Sequence, residues 1–489
     1  MSDTGLSRRS MLGSIGAGAG LMGAIGPSTA QAALLPEPKA SAAFDVVVIG
    51  TGMAGCAAAL EAVGRGAKVA VLEKAEENRA GGNSAYAAGI FGMPRDDSQE
   101  SRKMFLEDFV AKAQGRGNAK LYAVLAANAR ADLAWLRQNG VQFMPTEGTM
   151  PPYRIATVTT APGTFMGMPR QLKAMRDRIV EKGGVIVFGT KARQLLMDDR
   201  GAVAGVRALG ADGVVDYKSR SVVIAAGGYA GNKQILEAYS DPNAGALMVR
   251  GIDWATGDGL LMAQDAGAGL RGLGGVMALH ISAVDPVETS AGNPFAAQPF
   301  CLSINREGRR FMDESKGYVA HGKAVLNQPG QSVALVFDET IKSLPGPSTN
   351  YATFQRLGLK VAEAETLEQL AKLIGVPVEP FLETVRSFNA AVKNDSAMDA
   401  KPPKQQLAYR IEKPKFYAFH PLVPGVTLTF GGIMINESAQ VLEADGRIIR
   451  GLYAAGEGAG HAFFDDYIGG SALTNCLVMG RIAGRNATS

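Results

Sequence analysis

Gly50-x-Gly52-x-x-Gly55 and Glu73 form the first set of residues whose types and spacing can do chemistry. The glycines sit between an apolar run, Val46 to Ile49, and an alanine-rich stretch that reads as a helix over 53–64. Such glycines let a pyrophosphate approach the backbone, and the helix start holds its charge. Glu73, followed by Lys74, ends the next apolar run, where an acid can bind a ribose diol. The second set is "FFDDYIGGSALTNC" (463–476), in which Tyr467 precedes Gly469 and Gly470, and the glycine pair precedes a run that reads as a helix over 471–485. Ser471, Ala472 and Leu473 would then lie at a helix start, with free N–H groups and the positive end of a dipole.

Three more segments carry the same kind of signal. "RAGGNSAYAAGI" (79–90) is a second glycine-rich loop and holds Gly81, Gly82, Asn83, Ser84 and Gly89. "AAGG" ends a strand at Gly228, and "GLYAAGEGAG" (451–460) ends another and carries Glu457. Ala192, at the start of a predicted β-meander, is a further candidate contact. NAD and FAD share the glycine fingerprint. A dinucleotide touched by segments from residue 50 to residue 473 must be long and wrapped, which fits FAD.

In this order the segments resemble the fumarate reductase/succinate dehydrogenase flavoprotein family, from Gly50 through the final helix. The positions of Gly50, Gly52, Gly55, Glu73, Gly81, Gly82, Asn83, Ser84, Gly89, Gly228, Glu457, Ala472 and Leu473 fall where that family contacts FAD. The resemblance implies that the N-terminus of the final helix faces the pyrimidine end of the flavin, with Gly469 and Gly470 giving the ring room. Family members with covalent FAD place a linking histidine in the N-terminal region. Of His280, His321, His420 and His461, none lies there, so the cofactor is expected to be noncovalent.

The family moves a hydride between flavin N5 and one carbon of a C–C bond while a side chain moves a proton at the neighbouring carbon. "NREGRRFMDESKGYVAHGKAV" (305–325) is similar to the segment carrying the proton donor, and aligning Arg310, Phe311 and Glu314 puts Tyr318 there. Fumarate reductases have an arginine at this position; ketosteroid dehydrogenases use a tyrosine. A phenol near the flavin can act as acid or base. Tyr467 stands where ketosteroid and tricarballylate dehydrogenases have a tyrosine and fumarate reductases a substrate-clamping arginine. Its hydroxyl could hold a carbonyl oxygen, or its ring could simply be a wall. His280 falls near a family substrate-binding histidine; His321 and His461 read as surface or structural, and Asp465 and Asp466 as solvated or capping residues.

Two departures bear on the substrate. Thr427 and Leu428 stand where fumarate reductases carry a histidine pair, and "NPFAAQPF" lacks the charged clamp residues expected before the hairpin. Desolvating several carboxylates without arginines is costly, so a more neutral enoate, enone or ketosteroid-like substrate is expected. "TFMGMP", Phe295, Phe300, Phe463 and Phe464 are available to line its pocket. Two other readings stay open: a di- or tricarboxylate oxidoreductase that recruits Arg170 or Arg250, and an electron-transfer flavoprotein subunit with no substrate of its own.

The elements that must position these residues are those of an α/β protein: a Rossmann-like FAD-binding domain with an inserted α+β capping domain. The chain has 489 residues, 46% of them hydrophobic, enough for more than one core. The expected divisions are a signal peptide over 1–32, a linker over 33–43, the FAD-binding domain over 44–285 and 411–489, and the cap over 286–410. A net charge of +4 without a dense basic stripe gives no sign of nucleic-acid binding. Cys56, Cys301 and Cys476 lie far apart and make no metal motif, so no metal is expected. At the N-terminus, Arg8 and Arg9 precede a weakly apolar stretch ending Ala30-Gln31-Ala32, the pattern of a twin-arginine (Tat) export signal. The expected partners are therefore the Tat machinery, a small unsaturated carbonyl substrate, and a separate cytochrome- or quinone-linked redox partner, in the periplasm.

Overall fold

The computed structural model describes residues 35–150, 152–163, 167–273, 278–288, 292–460, 462–464 and 466–489, with the side chains of residues 278–280 left out. The proposed export signal, His461 and Asp465 lie outside the described residues.

Three four-residue strands, Val46–Ile49, Val69–Leu72 and Ser221–Ile224, are buried along their whole length. Apolar residues at every position suit a strand covered on both faces, which is the parallel-sheet situation. They pair in parallel, Ile49 opposite both Leu72 and Ile224, within a six-stranded sheet that also contains Val185–Val187, Ile448–Ala454 and Gln440–Leu442. That register brings Gly50, Glu73 and Ala225 to one edge, at the carboxyl ends of the strands, where open α/β sheets bind ligands.

The helix Met53–Gly64 is almost entirely buried because alanines and glycines let its neighbour come close. That neighbour is the last helix, Ser471–Asn486. A Cβ on Gly480 would lie 2.5 Å from the Ala54 carbonyl oxygen, and one on Gly484 2.2 Å from that of Ala58. The helix after the glycine turn and the last helix are thus packed backbone to backbone.

Lys191–Met197, Val203–Gly210 and Gly213–Lys218 form the expected meander. The stretch read as a linker is partly structured: Ala40–Ala43 joins the meander as an edge strand, parallel to Gly213–Lys218. Alanine and serine carry little strand propensity, so the signal lay in the partner and not in the segment.

The second sheet is built on Phe416–Val426, which pairs with Met248–Val249, Ala278–Ala283, Val333–Asp338 and Val361–Ala364. It has its own core, including Phe337, Phe354, Phe381 and Phe419. The strands Ala278–Ala283 and Phe416–Val426 belong to this sheet although their sequence positions were assigned to the flanking FAD-binding segments. Within the cap, Glu314 accepts hydrogen bonds from Arg310 (2.8 Å) and the Ser303 N–H (2.9 Å), with Lys404 3.6 Å away. All these charges are buried, so the cluster satisfies itself.

Candidate active site

Above the carboxyl edge of the first sheet lies a groove open to solvent, with about 820 Å³ of empty space counting the solvent-continuous part. Of the residues singled out in the sequence, Gly50, Gly52, Glu73, Lys74, Gly82, Asn83, Ser84, Ala192 and Glu457 line it. Cys476 joins them from the final helix, so segments far apart in sequence line the same groove. Gly50 has φ +102°, and a Cβ there would sit 2.5 Å from the Ala225 oxygen. The turn can pass between strands only as glycine.

The other glycines act one layer back. A Cβ on Gly55 would strike the Gly50 oxygen at 1.9 Å, so Gly55 lets the helix close on the turn. Gly81 and Gly89 pack against Leu172 and Thr160, and Gly228 makes room for Glu457. Ser471, Ala472 and Leu473 open the final helix as expected, with Gly470 as its cap at φ +83°. Gly469 and Gly470 face Met150, Ile90 and Gly92, and Thr474 Oγ1 donates to the Gly92 oxygen at 2.7 Å. The glycine pair therefore docks the helix start against the strand Ile90–Met93, a packing role beside the one expected of it.

The groove has the donor and acceptor chemistry of a dinucleotide site. Glu73 is buried, accepts from Thr51 N at 3.0 Å and from Ala75 N at 2.9 Å, and faces the groove with its carboxylate. Lys74 and Lys191 both bind Asp258, at 2.6 and 2.9 Å, which fixes two ammonium groups beside it. Arg79 stacks on Trp254, 4.1 Å from its centroid. Asn83 donates to the Thr427 oxygen at 2.7 Å and accepts from Ile252 N at 2.9 Å, and Ser84 accepts from Met53 N at 3.1 Å, tying the second loop to both sheets. Glu457 accepts from the N–H and hydroxyl of Thr429, at 2.8 and 3.1 Å. Burial raises its carboxyl pKa, and the hydrogen bonds from Thr429 and Asn83 oppose that rise. These residues fit FAD: an acid for the ribose, open backbone at the glycine turn, and a wall that the final helix reaches through Cys476.

Beyond the groove the structure brings Tyr318 and Tyr467 together. Tyr318 begins the helix Tyr318–Leu326 after Gly317, whose φ of +91° only glycine adopts readily. Its hydroxyl and that of Tyr467 hydrogen-bond each other. Burial raises the pKa of both phenols. At Tyr467 the bond from Tyr318 and the charges of Arg250 and Lys112 oppose the rise, while Asp466 adds to it. Phe430 and Phe463 flank the Tyr467 ring at 6.0 Å.

The structure also revises the sequence reading. Asp466, read as solvated or capping, accepts from Lys112 at 2.6 Å and from Tyr467 N at 2.8 Å. Arg250 is deeply placed beside Tyr467, and burial pushes its pKa down to about 10. A Cβ on Gly425 would lie 2.4 Å from Arg250 Cδ, so the cap strand leaves a slot for this side chain. Arg170 is exposed on its helix and contributes nothing here. Phe295 is 56% exposed, and Phe300 packs on Tyr409 against the cap core. Phe165 and Met166 of "TFMGMP" lie outside the described residues. His280 lies on the strand Ala278–Ala283, its backbone paired with Gly425. His321 is structural: buried and 2.8 Å from Ser303 Oγ. Lys112 and Tyr153 carried no sequence signal, because only the fold carries the helix Gln99–Lys112 and the strand Tyr153–Thr159 to Tyr467.

Comparison with known proteins agrees with this geometry. The family model described as "FAD binding domain" matches residues 45–471. The "Fumarate reductase (cytochrome)" of Shewanella frigidimarina is 30% identical over 94% of this chain and 79% of its own length. A "Vinyl phenol reductase" of Lactiplantibacillus plantarum is 26% identical over 91% of this chain and 96% of its own. The open conformation of a flavocytochrome c3 fumarate reductase superposes with a TM-score of 0.77 at 27% identity, covering 92% of this chain and 79% of that one. The chain belongs to the fumarate reductase/succinate dehydrogenase flavoprotein family. It is an FAD-dependent oxidoreductase acting on CH–CH and C=C bonds.

Proposed function

We propose that this enzyme reduces, or forms, a C=C bond next to a carbonyl group, with Tyr318 carrying the proton. The hydrogen-bonded pair Tyr318–Tyr467 carries this reading. Bound FAD, held without a covalent link by Glu73, Asn83, Ser84 and the glycine turn, supplies or accepts the hydride. Tyr467 polarises the substrate carbonyl and orients Tyr318, which holds a proton for the neighbouring carbon. Burial keeps both phenols protonated at neutral pH, so the pair is loaded as an acid before substrate arrives. The walls formed by Phe430 and Phe463 exclude water from the proton in transit.

A second reading has an observation of its own. Arg250 beside Tyr467 supports a substrate whose carbonyl belongs to a carboxylate, because a buried guanidinium pairs with that group in a bidentate fork. Methyl cinnamate, cinnamate and fumarate, each mixed anaerobically with the dithionite-reduced protein, separate the alternatives by the rate of flavin reoxidation. Reoxidation by none of them, nor by any other activated alkene, would leave a flavoprotein without its own substrate. We further infer that Arg8 and Arg9 direct export to an extracytoplasmic compartment, and that a separate cytochrome- or quinone-linked partner exchanges the electrons. No helix among the described residues is long and apolar enough to cross a membrane.

A further inference from the structure

FAD held without a covalent bond in a groove open to solvent can leave, and an exported protein, as inferred above, cannot reload from the cytoplasm. The groove wall shows how such loss is slowed. Lys74 and Asn83 line it from one segment, and Ile252, Trp254 and Asp258 from another. Two polar ties join the segments. Lys74 Nζ donates to Thr256 Oγ1 at 3.3 Å and to Asp258 at 2.6 Å, and Asn83 Oδ1 accepts from Ile252 N at 2.9 Å. Trp254 lies between these ties in the chain, and its backbone is fixed. Its carbonyl accepts from Thr256 N at 3.0 Å, and that of Ala255 accepts from Gly231 N at 2.9 Å. A Cβ on Gly231 would lie 2.1 Å from the Asp253 oxygen, so glycine lets the loop dock this closely. The indole itself is only partly buried. The exposed Arg79 lies over it, its guanidinium carbon 4.1 Å from the ring centroid. With Arg79 on one face, the ring meets the groove on its remaining surface.

We propose that Trp254, held by Arg79, is a latch over the adenosine end of the FAD groove that slows release of the cofactor. Glu73 is the ribose acid, and Lys74 beside it ties down the loop that carries Trp254, which puts the indole at the ribose end. A guanidinium over an indole is attracted by the negative face of the ring, and an aromatic ring stacks on any base. Opening the latch requires only that Arg79 leave the indole. The ties at Lys74 and Asn83 need not break, so FAD can enter a folded chain and be held afterwards. Arg79 acts through Trp254 and is a positioning residue. The proposal rests on the reading that FAD is bound noncovalently.

The test measures FAD release. Acid-treated wild-type holoprotein should first give up its flavin to the supernatant. Holoprotein is then diluted to nanomolar concentration, and the rise in flavin fluorescence is timed. Arg79→Gln is expected to release FAD about two- to fivefold faster, the scale of an exposed cation–π contact. Trp254→Ala should release it about fivefold faster or more. The double variant should match Trp254→Ala alone, because Arg79 then has nothing to hold. Trp254→Phe, which keeps a ring, should fall between wild type and Trp254→Ala. The sequence has two tryptophans, and the other, Trp135, stacks on Arg481 at 4.1 Å from the helix Ala119–Gln138. In Trp135→Phe the emission therefore comes from Trp254, and it should fall when FAD binds. Wild-type release in Arg79→Gln and Trp254→Ala, additive effects in the double variant, or Trp254 emission unmoved by FAD would overturn the proposal. Flavin that stays with the acid-precipitated wild-type protein would overturn the noncovalent reading and the latch with it, so the two failures are told apart.

Discussion

Gly228→Ala tests whether Glu457 is held where a cofactor needs it. The new Cβ would fall 2.2 Å from Glu457 Oε1 and 2.2 Å from Thr429 Oγ1. Both atoms are tied in place, because Glu457 accepts hydrogen bonds from Thr429 and Asn83 at the groove wall. The carboxylate must move by on the order of 1 Å to restore contact distance, and that breaks its bonds from the Thr429 N–H and hydroxyl. Hydrogen bonds to a charged group are worth about 1.5–3 kcal/mol each. Partial repair leaves a net loss of about 3 kcal/mol, or roughly a hundredfold in FAD affinity if the damage falls on the holoprotein. Gly64→Ala is the control: it sits at the end of a helix with nothing within 4 Å of its would-be Cβ. Calorimetry and FAD titration of the two variants should show a Tm lower by about 5 °C and weaker FAD binding in Gly228→Ala only. A Gly228→Ala protein with wild-type Tm and FAD affinity would refute the packing argument.

Glu73→Ala should weaken FAD binding by removing the ribose acceptor, read as faster loss of flavin on dilution. Tyr467→Phe should cost roughly 10²–10³-fold in the reoxidation rate, the scale of one oxyanion donor, with an unchanged flavin spectrum. Arg250→Met should raise KM for cinnamate and leave methyl cinnamate nearly unaffected; equal effects on both would remove the carboxylate reading. Burial holds His321 neutral with its pKa pushed down to about 4. The unfolded chain therefore takes up a proton near pH 6.5 that the folded chain refuses. Its contribution to stability is present above pH 6.5 and is lost as pH falls toward 4. Urea melts across that range should flatten in His321→Gln relative to wild type.

Much of this architecture was legible in the sequence, for physical reasons that differ by element. Val46–Ile49 and Val69–Leu72 announce themselves because both faces of each strand are buried, so no polar residue interrupts the run. The turn at Gly50 is legible because its backbone tolerates only glycine. Tyr318 and Tyr467 were each visible through a motif, and the structure adds that they touch. The sites that stayed hidden depend on long-range packing. Arg250 and Arg170 were equal candidates in the sequence, and only the slot that the strand Phe416–Val426 leaves at Gly425 separates Arg250 from the exposed Arg170. Lys112 is the last residue of a helix with no motif, and only the docking of that helix brings it to Asp466. The strand Ala40–Ala43 was read as a linker because its pairing with Gly213–Lys218 lies far along the chain. Phe295 and Phe300 gave no hint of their separate surroundings in the sequence: Phe295 is exposed and Phe300 packs on Tyr409.

The most direct test of the central claim is a single turnover in deuterium oxide by reduced wild-type protein and by Tyr318→Phe, with methyl cinnamate, cinnamate and fumarate in parallel. The account predicts that wild type reoxidises with at least one of them. It should place one solvent deuteron on the carbon next to the carbonyl, while Tyr318→Phe keeps its flavin and slows by roughly 10²–10⁴-fold. Equal reoxidation rates in the two proteins, with the same deuterium incorporation, would show that Tyr318 does not carry the proton.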